Sequence, residues 1–166
     1  MSVGRFVFRR PFAEPQMSDN FLILIPTSPD FVPAEAAQAT ALDRFKFFVP
    51  KADDVIRDST AEVRFIDAGV NFEKVSCPIC RLKLTGRWWQ DAMDAAGKKD
   101  FADLRITLPC CGKSSTLNDL LYFWAQGFAR FSLEAMNPGL KDLKPDQIRE
   151  LEKILGCSLR VILAHY

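Results

Sequence analysis

The sequence Cys77-Pro78-Ile79-Cys80 is followed by a second cysteine turn, Pro109-Cys110-Cys111-Gly112, and the 29 residues 81–109 separate Cys80 from Cys110. Thiolates are favoured ligands of Zn²⁺, and structural zinc sites take four protein ligands in a closed tetrahedron. Two turns that each offer two thiolates therefore predict one zinc site with the ligands Cys77, Cys80, Cys110 and Cys111. Because four sulfurs fill the coordination sphere, we expect this ion to be structural.

The remaining metal-binding side chains leave two alternatives open. Three of these cysteines could be joined by Cys157, His165 or an acidic side chain, or the thiols could be buried without a metal. Cys157 precedes the last predicted strand, and His165 is the single histidine of the chain. We expect both side chains to be structural.

The two turns resemble the knuckles of zinc ribbon proteins. Two departures from that pattern are visible: Arg81 stands where a glycine usually follows the first knuckle, and the second pair of cysteines is adjacent. Pro109 and Gly112 flank that second pair and favour the sharp bend that adjacent ligands need. The resemblance implies a ribbon covering residues 68–123.

Apolar patterns on both sides of this segment predict strands and helices in alternation. Phe21–Pro26 is a short apolar run typical of a central strand or of one covered on both faces. Pro and Gly residues mark the helix ends. The predicted elements are strands at 21–26, 61–67, 127–136 and 158–166, helices at 33–49, 86–97 and 145–155, and a second helical piece at 52–58.

Without the cysteine segment, the order of elements is strand, helix, strand, then strand, helix, strand. This order is similar to the ferredoxin-like split βαβ arrangement, which implies a four-stranded antiparallel sheet with both helices on one face. The prediction is an α+β fold whose ferredoxin-like domain comprises residues 21–67 and 124–166. Residues 68–123 would be a zinc ribbon insertion between the second and third strands, and residues 1–20 an N-terminal arm or edge strand.

Length and composition restrict the class of protein. The chain has 166 residues, enough for one core, and its 22 Lys and Arg nearly balance 21 Asp and Glu, so no overall field attracts nucleic acid or membrane. No apolar run is long enough for a membrane span, and the start lacks the apolar segment of a signal peptide. An odd number of cysteines with four in paired turns favours metal in a reducing cytoplasm, and we expect a bacterial-type protein.

Two groups of side chains could form a partner-binding surface. Alternation places Arg64, Arg130, Arg160 and Tyr166, with Glu62, Glu134 and Ile162, on the sheet face away from the helices. That face is either a solvated set of ion pairs or a protein-binding surface. Trp88, Trp89 and Trp124, with Tyr122 and Phe123, are expected to pack as the small core of the cysteine segment, and an exposed member would be an anchor for a protein partner.

These patterns favour a non-catalytic binding protein that acts on another protein, such as an inhibitor or immunity-type protein. The first alternative is a nucleic-acid-binding regulator that uses Arg5, Arg9 and Arg10 as a basic arm. The second is an enzyme with Asp67, Glu73 or Asp103 in a cleft. A single histidine and the absence of phosphate-loop and nucleophile-elbow motifs argue against catalysis.

Overall fold

A computed structural model describes residues 18–166. Antiparallel sheets and three α-helices in this part of the chain confirm the predicted α+β class. The predicted basic arm, with Arg5, Arg9 and Arg10, lies outside the described residues. The elements are β1 (Asn20–Pro26), α1 (Glu35–Phe48), β2 (Asp54–Ile66), β3 (Lys74–Ser76), α2 (Gly86–Gly97), β4 (Arg105–Thr107), β5 (Ser114–Thr116), β6 (Leu121–Phe123), β7 (Gly127–Met136), α3 (Pro145–Leu155) and β8 (Leu159–His165).

The main sheet has the strand order β2-β7-β1-β8, and every neighbouring pair is antiparallel. β1 lies between β7 and β8, and its apolar run is buried on both sides of the sheet. Leu22 and Leu24 belong to the core beneath the helices, whereas Ile23 and Ile25 belong to an apolar cluster on the opposite face. This explains why β1 has no polar alternation.

Helices α1 and α3 cover one face of the sheet. Phe45 of α1 and Leu151 of α3 are fully buried in the same cluster as Phe131 of β7. The predicted start of α3 at Pro145 is confirmed, and the Lys144 backbone N–H donates to Gln147 Oε1 at 2.9 Å. The helix layer and the sheet bury the apolar side chains of this core between them, and this burial stabilises the fold.

The predicted helical piece at 52–58 is wrong. Asp54 to Ser59 instead pair with β7, in a register that sets Val55 opposite Ala135. The register shifts between Ser59 and Arg64, so the strand bulges there before it continues to Ile66. Local composition could not reveal this pairing, because a partner 80 residues away in sequence supplies the hydrogen bonds.

The sheet face away from the helices is not an open face along its whole length. Ile162 is fully buried and Glu134 is 8% exposed, where alternation alone predicts solvent contact. The Ser132 hydroxyl, itself buried, donates to Glu134 Oε1 at 2.8 Å. Alternation of apolar and polar residues identifies the two faces of a strand correctly. It cannot show whether residues distant in sequence cover the face away from the helices.

The cysteine segment, residues 68–123, contains two small sheets and one helix. β3 pairs with β6, β4 pairs with β5, and α2 has the predicted bounds Gly86–Gly97. The Thr85 hydroxyl caps α2 by accepting a hydrogen bond from the Trp88 N–H at 3.2 Å. Each cysteine turn is thus attached to a short strand.

Candidate metal centre

The first cysteine turn is closed by backbone hydrogen bonds on both sides. The Cys77 N–H donates to the Leu82 carbonyl at 2.9 Å, and the Arg81 N–H donates to the Cys77 carbonyl at 3.1 Å. Arg81 has a φ of 66°, a left-handed conformation that glycine adopts without strain. The backbone therefore forms the turn even though arginine occupies this position.

The second turn repeats the same hydrogen bonds with a different residue at its first position. The Leu108 N–H donates to the Lys113 carbonyl at 2.8 Å, and the Gly112 N–H donates to the Leu108 carbonyl at 2.8 Å. Gly112 has a φ of 70°, so it corresponds to Arg81 and Leu108 corresponds to Cys77. Cys111 then occupies the place of Cys80, and Cys110 occupies the place of Ile79. The cysteines of the second turn are adjacent because its first cysteine lies two positions later than Cys77 does in the first turn, while the backbone hydrogen bonds are the same.

The four sulfur atoms of Cys77, Cys80, Cys110 and Cys111 lie within 4.8 Å of one another. Cys77 Sγ is 3.9 Å from Cys111 Sγ, and Cys80 Sγ is 3.3 Å from Cys110 Sγ. A tetrahedral ion with metal–sulfur bonds of about 2.3 Å needs sulfur–sulfur edges of about 3.8 Å. The group could therefore hold one metal ion, and the separations are far longer than a disulfide bond.

The electrostatic environment of the sulfurs is unequal. Burial alone would raise the pKa of Cys77, but hydrogen bonds from the backbone N–H groups of Cys80 and Ile79 and from neighbouring thiols lower that pKa to about 6. These N–H groups lie 3.4 and 3.3 Å from Cys77 Sγ. Burial and the adjacent sulfurs raise the pKa of Cys110 to about 12. A cation shared by the four sulfurs would compensate the negative charge that Cys110 cannot carry alone.

A compact apolar core supports the two turns. The buried residues of this core include Val75, Leu84, Met93 and Leu108. Leu108 stands at the position that corresponds to Cys77, and its side chain packs in the core. The Trp89 indole N–H donates to the Tyr122 hydroxyl at 3.2 Å, and that hydroxyl donates to the Leu117 carbonyl at 2.7 Å. Burial raises the pKa of Tyr122, which keeps its hydroxyl protonated as a donor.

This core continues into the main sheet. Val63 of β2 and Phe128 of β7 belong to the same cluster as Leu108 and Met93, and the Phe128 ring lies 5.0 Å from the Phe65 ring. The Asn118 side chain strengthens the connection, because its Oδ1 accepts a hydrogen bond from the Phe128 N–H at 3.0 Å. The two cysteine turns are consequently anchored to the sheet through side-chain packing.

The three arginines expected on the open sheet face all make intramolecular hydrogen bonds. Arg160 Nη1 donates to Asn118 Oδ1 at 3.0 Å and to the Gln126 carbonyl at 2.8 Å. Arg64 Nη1 donates to Asp58 Oδ2 at 2.7 Å, and Arg130 Nε donates to the Thr60 carbonyl at 3.1 Å. Tyr166 is 39% exposed, and its hydroxyl donates to Asp67 Oδ1 at 2.9 Å.

The tryptophans proposed as partner anchors divide into two groups. Trp88 and Trp89 are partly buried against the core of the cysteine segment, and Trp89 also contacts the Phe72 ring at 5.1 Å. Phe123 and Trp124, by contrast, are 53% and 40% exposed. The exposed aromatic side chains of this group are thus at the end of β6 and just beyond it.

Other chemically active side chains stand apart from the four sulfurs. Cys157 packs against the core beneath the helices, and His165 Nδ1 is hydrogen-bonded to Asn20 Oδ1 at 2.9 Å. Asp103 is held by Arg105, which keeps the pKa of that carboxyl well below its usual range. Glu73 Oε1 accepts a hydrogen bond from the Trp124 indole N–H at 3.4 Å. In residues 18–166 the four cysteines are the sole cluster with metal-ligand geometry.

Comparisons of the chain with protein-family models, curated proteins and solved structures give no match. Every helix in the described part of the chain is too short or too polar to cross a lipid bilayer.

A surface that the sequence did not identify lies beside the metal centre. Pairing places Lys74 opposite Phe123 and Ser76 opposite Leu121, and an isolated bridge joins Ser76 to Lys83. We call the outward side of this small sheet, formed by Lys74, Ser76, Lys83, Leu121 and Phe123, the ribbon face. Its strands have three residues each, too few for alternation to be recognised in a sequence.

Proposed function

We propose that this protein is a non-catalytic binding protein, in which a structural zinc ion supports a surface that recognises another protein. The observation that carries the proposal is the closed set of four sulfurs next to exposed apolar side chains. Four thiolates would complete the coordination of Zn²⁺ and leave no position for a substrate or an activated water. The ion would then stabilise the cysteine segment and its outward surfaces.

The geometry of the donor set favours zinc as the ion. An all-sulfur, tetrahedral arrangement is typical of Zn²⁺ or of an iron–sulfur centre, and the sulfur edges fit a single small ion. Cys80 is exposed, so a reducing compartment would be needed to protect the thiols from oxidation. We accordingly propose that the protein is cytoplasmic.

For the architecture, we propose a ferredoxin-like domain that carries a zinc ribbon at residues 68–123. The antiparallel order β2-β7-β1-β8, with α1 and α3 on one face, supports this assignment. Both knuckles have equivalent backbone hydrogen bonds and a left-handed residue after the second cysteine position. In this arrangement the ribbon replaces the hairpin that would otherwise join β2 to β7.

An inhibitor or immunity-type role fits the exposed side chains best. Apolar residues at the cysteine segment surface include Leu82 at 58% exposure and Phe123 at 53%. Side chains of this size at a surface are typical of protein-binding sites when they occur together. An inhibitor needs such a surface and no reactive group.

The test is affinity capture from the native host with the tagged full chain. Zinc-loaded protein is compared with a Cys80→Ser, Cys111→Ser double variant, and bound proteins are identified after chemical crosslinking. We expect one stoichiometric protein partner with the loaded chain and a large loss with the variant. No crosslinked partner, or a partner captured equally by both proteins, would refute the role of the metal-supported surface.

Nucleic-acid binding is the second candidate, because Lys74 lies beside the exposed Phe123 and Lys83 bridges to Ser76 on the same small sheet. Its ring lies 5.3 Å from Lys74 Nζ. This candidate predicts a shift of labelled DNA or RNA at low salt, with an affinity that decreases steeply as salt is added. Absence of such a shift would exclude it.

A further inference from the structure

We propose that the ribbon face binds an acidic protein segment that carries an exposed apolar side chain. This inference rests on the proposed protein-binding function and specifies its surface and the chemistry of its partner. The argument uses the side chains that pairing sets on one side of the small sheet.

Pairing fixes the two sides of this sheet. Val75, Tyr122 and Leu84 point into the core of the cysteine segment, and the Leu84 N–H donates to the Val75 carbonyl at 2.9 Å. Residues next to them in sequence must therefore point outward, because side chains alternate along a strand. Leu121 and Phe123 are 38% and 53% exposed on that side.

The chain segment that pairs with these two apolar side chains is positively charged. Lys74, Arg81, Lys83 and Arg87 are all exposed, and residues 74–87 contain no carboxylate. Lys74 and Lys83 lie on the ribbon face itself. Lys74 pairs with Phe123, and Lys83 bridges to Ser76, which pairs with Leu121 on its other side. The chain as a whole is nearly neutral, with a formal net charge of +1, so this surface is a local departure from the average. A partner with complementary charge would carry carboxylates around an apolar anchor.

Two features favour a protein segment over a nucleic acid. The Lys74 ammonium group occupies one side of the Phe123 ring at 5.3 Å, which reduces the ring area available for base stacking. Glu73 precedes Lys74 in the chain and accepts a hydrogen bond from Trp124, so an exposed carboxylate next to this surface would repel a phosphate. A nucleic acid has a phosphate at every nucleotide, whereas a protein segment can place a neutral residue next to Glu73.

The metal centre provides the rigidity that such a surface needs. Ser76 precedes the ligand Cys77, and Lys83 follows the turn that contains Cys80 and Arg81. The bridge between Ser76 and Lys83 closes this turn at its base. Ordering of the turn by a bound ion would therefore fix the spacing of the two lysines before a partner arrives.

The experiment selects ligands for the zinc-loaded full chain from a phage-displayed library of random peptides of about twelve residues. Selected sequences are synthesised, and their dissociation constants are measured at low and moderate salt. Binding is compared between the parent chain, a Lys74→Glu, Lys83→Glu variant and a Phe123→Ser variant. Zinc content and the thermal midpoint are measured for each variant, so that a misfolded chain is recognised and replaced by Lys74→Gln, Lys83→Gln or Phe123→Leu.

We expect selected peptides to be rich in Asp and Glu next to Leu, Phe or Trp. Charge reversal should weaken binding by about tenfold or more, and replacing the peptide carboxylates by amides should have a similar effect. Phe123→Ser should cost about tenfold, because it removes the apolar contact. Matched controls elsewhere, Lys98→Glu with Lys99→Glu and Phe47→Ser, should change the affinity by less than about twofold.

Several outcomes would overturn the assignment. Selected peptides without carboxylates, or binding that the control variants weaken as much as the ribbon-face variants, would place recognition elsewhere while leaving the protein-binding function intact. Tighter binding of an oligothymidylate than of any peptide would assign the surface to nucleic acid. Self-association in sedimentation experiments that Phe123→Ser abolishes would assign it to a second copy of this chain. If neither a selected peptide nor a native partner binds, the proposed function fails together with the surface.

Discussion

Replacement of Cys77 by serine separates metal binding from folding of the first turn. Cys77 is fully buried, and its sulfur accepts hydrogen bonds from the N–H groups of Ile79 and Cys80 at 3.3 and 3.4 Å. A serine hydroxyl can accept the same hydrogen bonds, so we expect the turn to persist. The variant therefore loses mainly one thiolate ligand.

The size of the effect follows from the number of ligands. Structural zinc sites with four ligands bind with an apparent free energy of about 10–16 kcal/mol near neutral pH. One ligand in four corresponds to about 3 kcal/mol, or about a hundredfold in the zinc dissociation constant. The pKa of Cys77 is lowered to about 6, so this thiol is largely deprotonated at neutral pH and zinc does not have to displace its proton. Loss of the Cys77 thiolate should therefore weaken zinc binding at least as much as this average.

The measurement is competition for zinc against a chromophoric chelator, supported by the visible absorption of the cobalt-substituted protein. Cys157→Ser is the matched control, because Cys157 is a partly buried thiol that packs against the other core. Its zinc dissociation constant should stay within about twofold of the parent value. An unchanged zinc affinity in Cys77→Ser, or an equal loss in Cys157→Ser, would refute the four-sulfur site.

Three further predictions concern stability and reactivity. Phe128→Ala and Phe131→Ala each remove a fully buried ring and should lower the free energy of unfolding by about 3–5 kcal/mol. Only Phe128 belongs to the core of the cysteine segment, so only Phe128→Ala should also speed zinc transfer to a chelator. Equal transfer rates would contradict the shared core. Arg160→Met leaves the Gln126 carbonyl without its donor and should lower the free energy of unfolding in urea by about 1–3 kcal/mol. The control Arg149→Met, at an exposed position, should lower it by less than about 0.5 kcal/mol. Equal losses in the two variants would argue against a stabilising role of the Arg160 hydrogen bond. Iodoacetamide at about pH 8 should modify only Cys157 in the zinc-loaded protein, and more slowly than it modifies free cysteine, because burial raises the pKa of that thiol. After zinc is removed, it should modify all five cysteines. Mass spectrometry showing early modification of Cys80 in the loaded protein would contradict the site.

Local sequence signals were sufficient where a residue acts through its own backbone or its near neighbours. Gly156 ends α3 in the left-handed conformation that glycine adopts without strain, and Pro145 begins α3 with the backbone angle that its ring fixes. The run from Phe21 to Pro26 predicted a buried strand, since apolar residues on both sides of a strand need cover on both sides. The cysteine spacing likewise predicted the group of four neighbouring sulfurs.

The sequence failed where pairing with distant chain decides the conformation. Asp54 to Asp58 are a strand because β7 supplies their hydrogen bonds, although a helical piece was predicted at 52–58. The ribbon face was missed for the same reason, since three-residue strands have no recognisable period by themselves. Pairing energies belong to two segments at once, so neither segment shows them alone.

By itself, the sequence determined the α+β class, the helix ends and the four cysteines, because each depends on the chemistry of a residue and its near neighbours. Only the tertiary structure decided that Leu108 occupies the position of Cys77 in the second cysteine turn, that Arg160 donates a hydrogen bond to Asn118 of the cysteine segment, and that Phe123 is exposed while Trp89 packs inward. Burial and hydrogen bonding depend on which distant segments meet, and this information exists only in the folded chain.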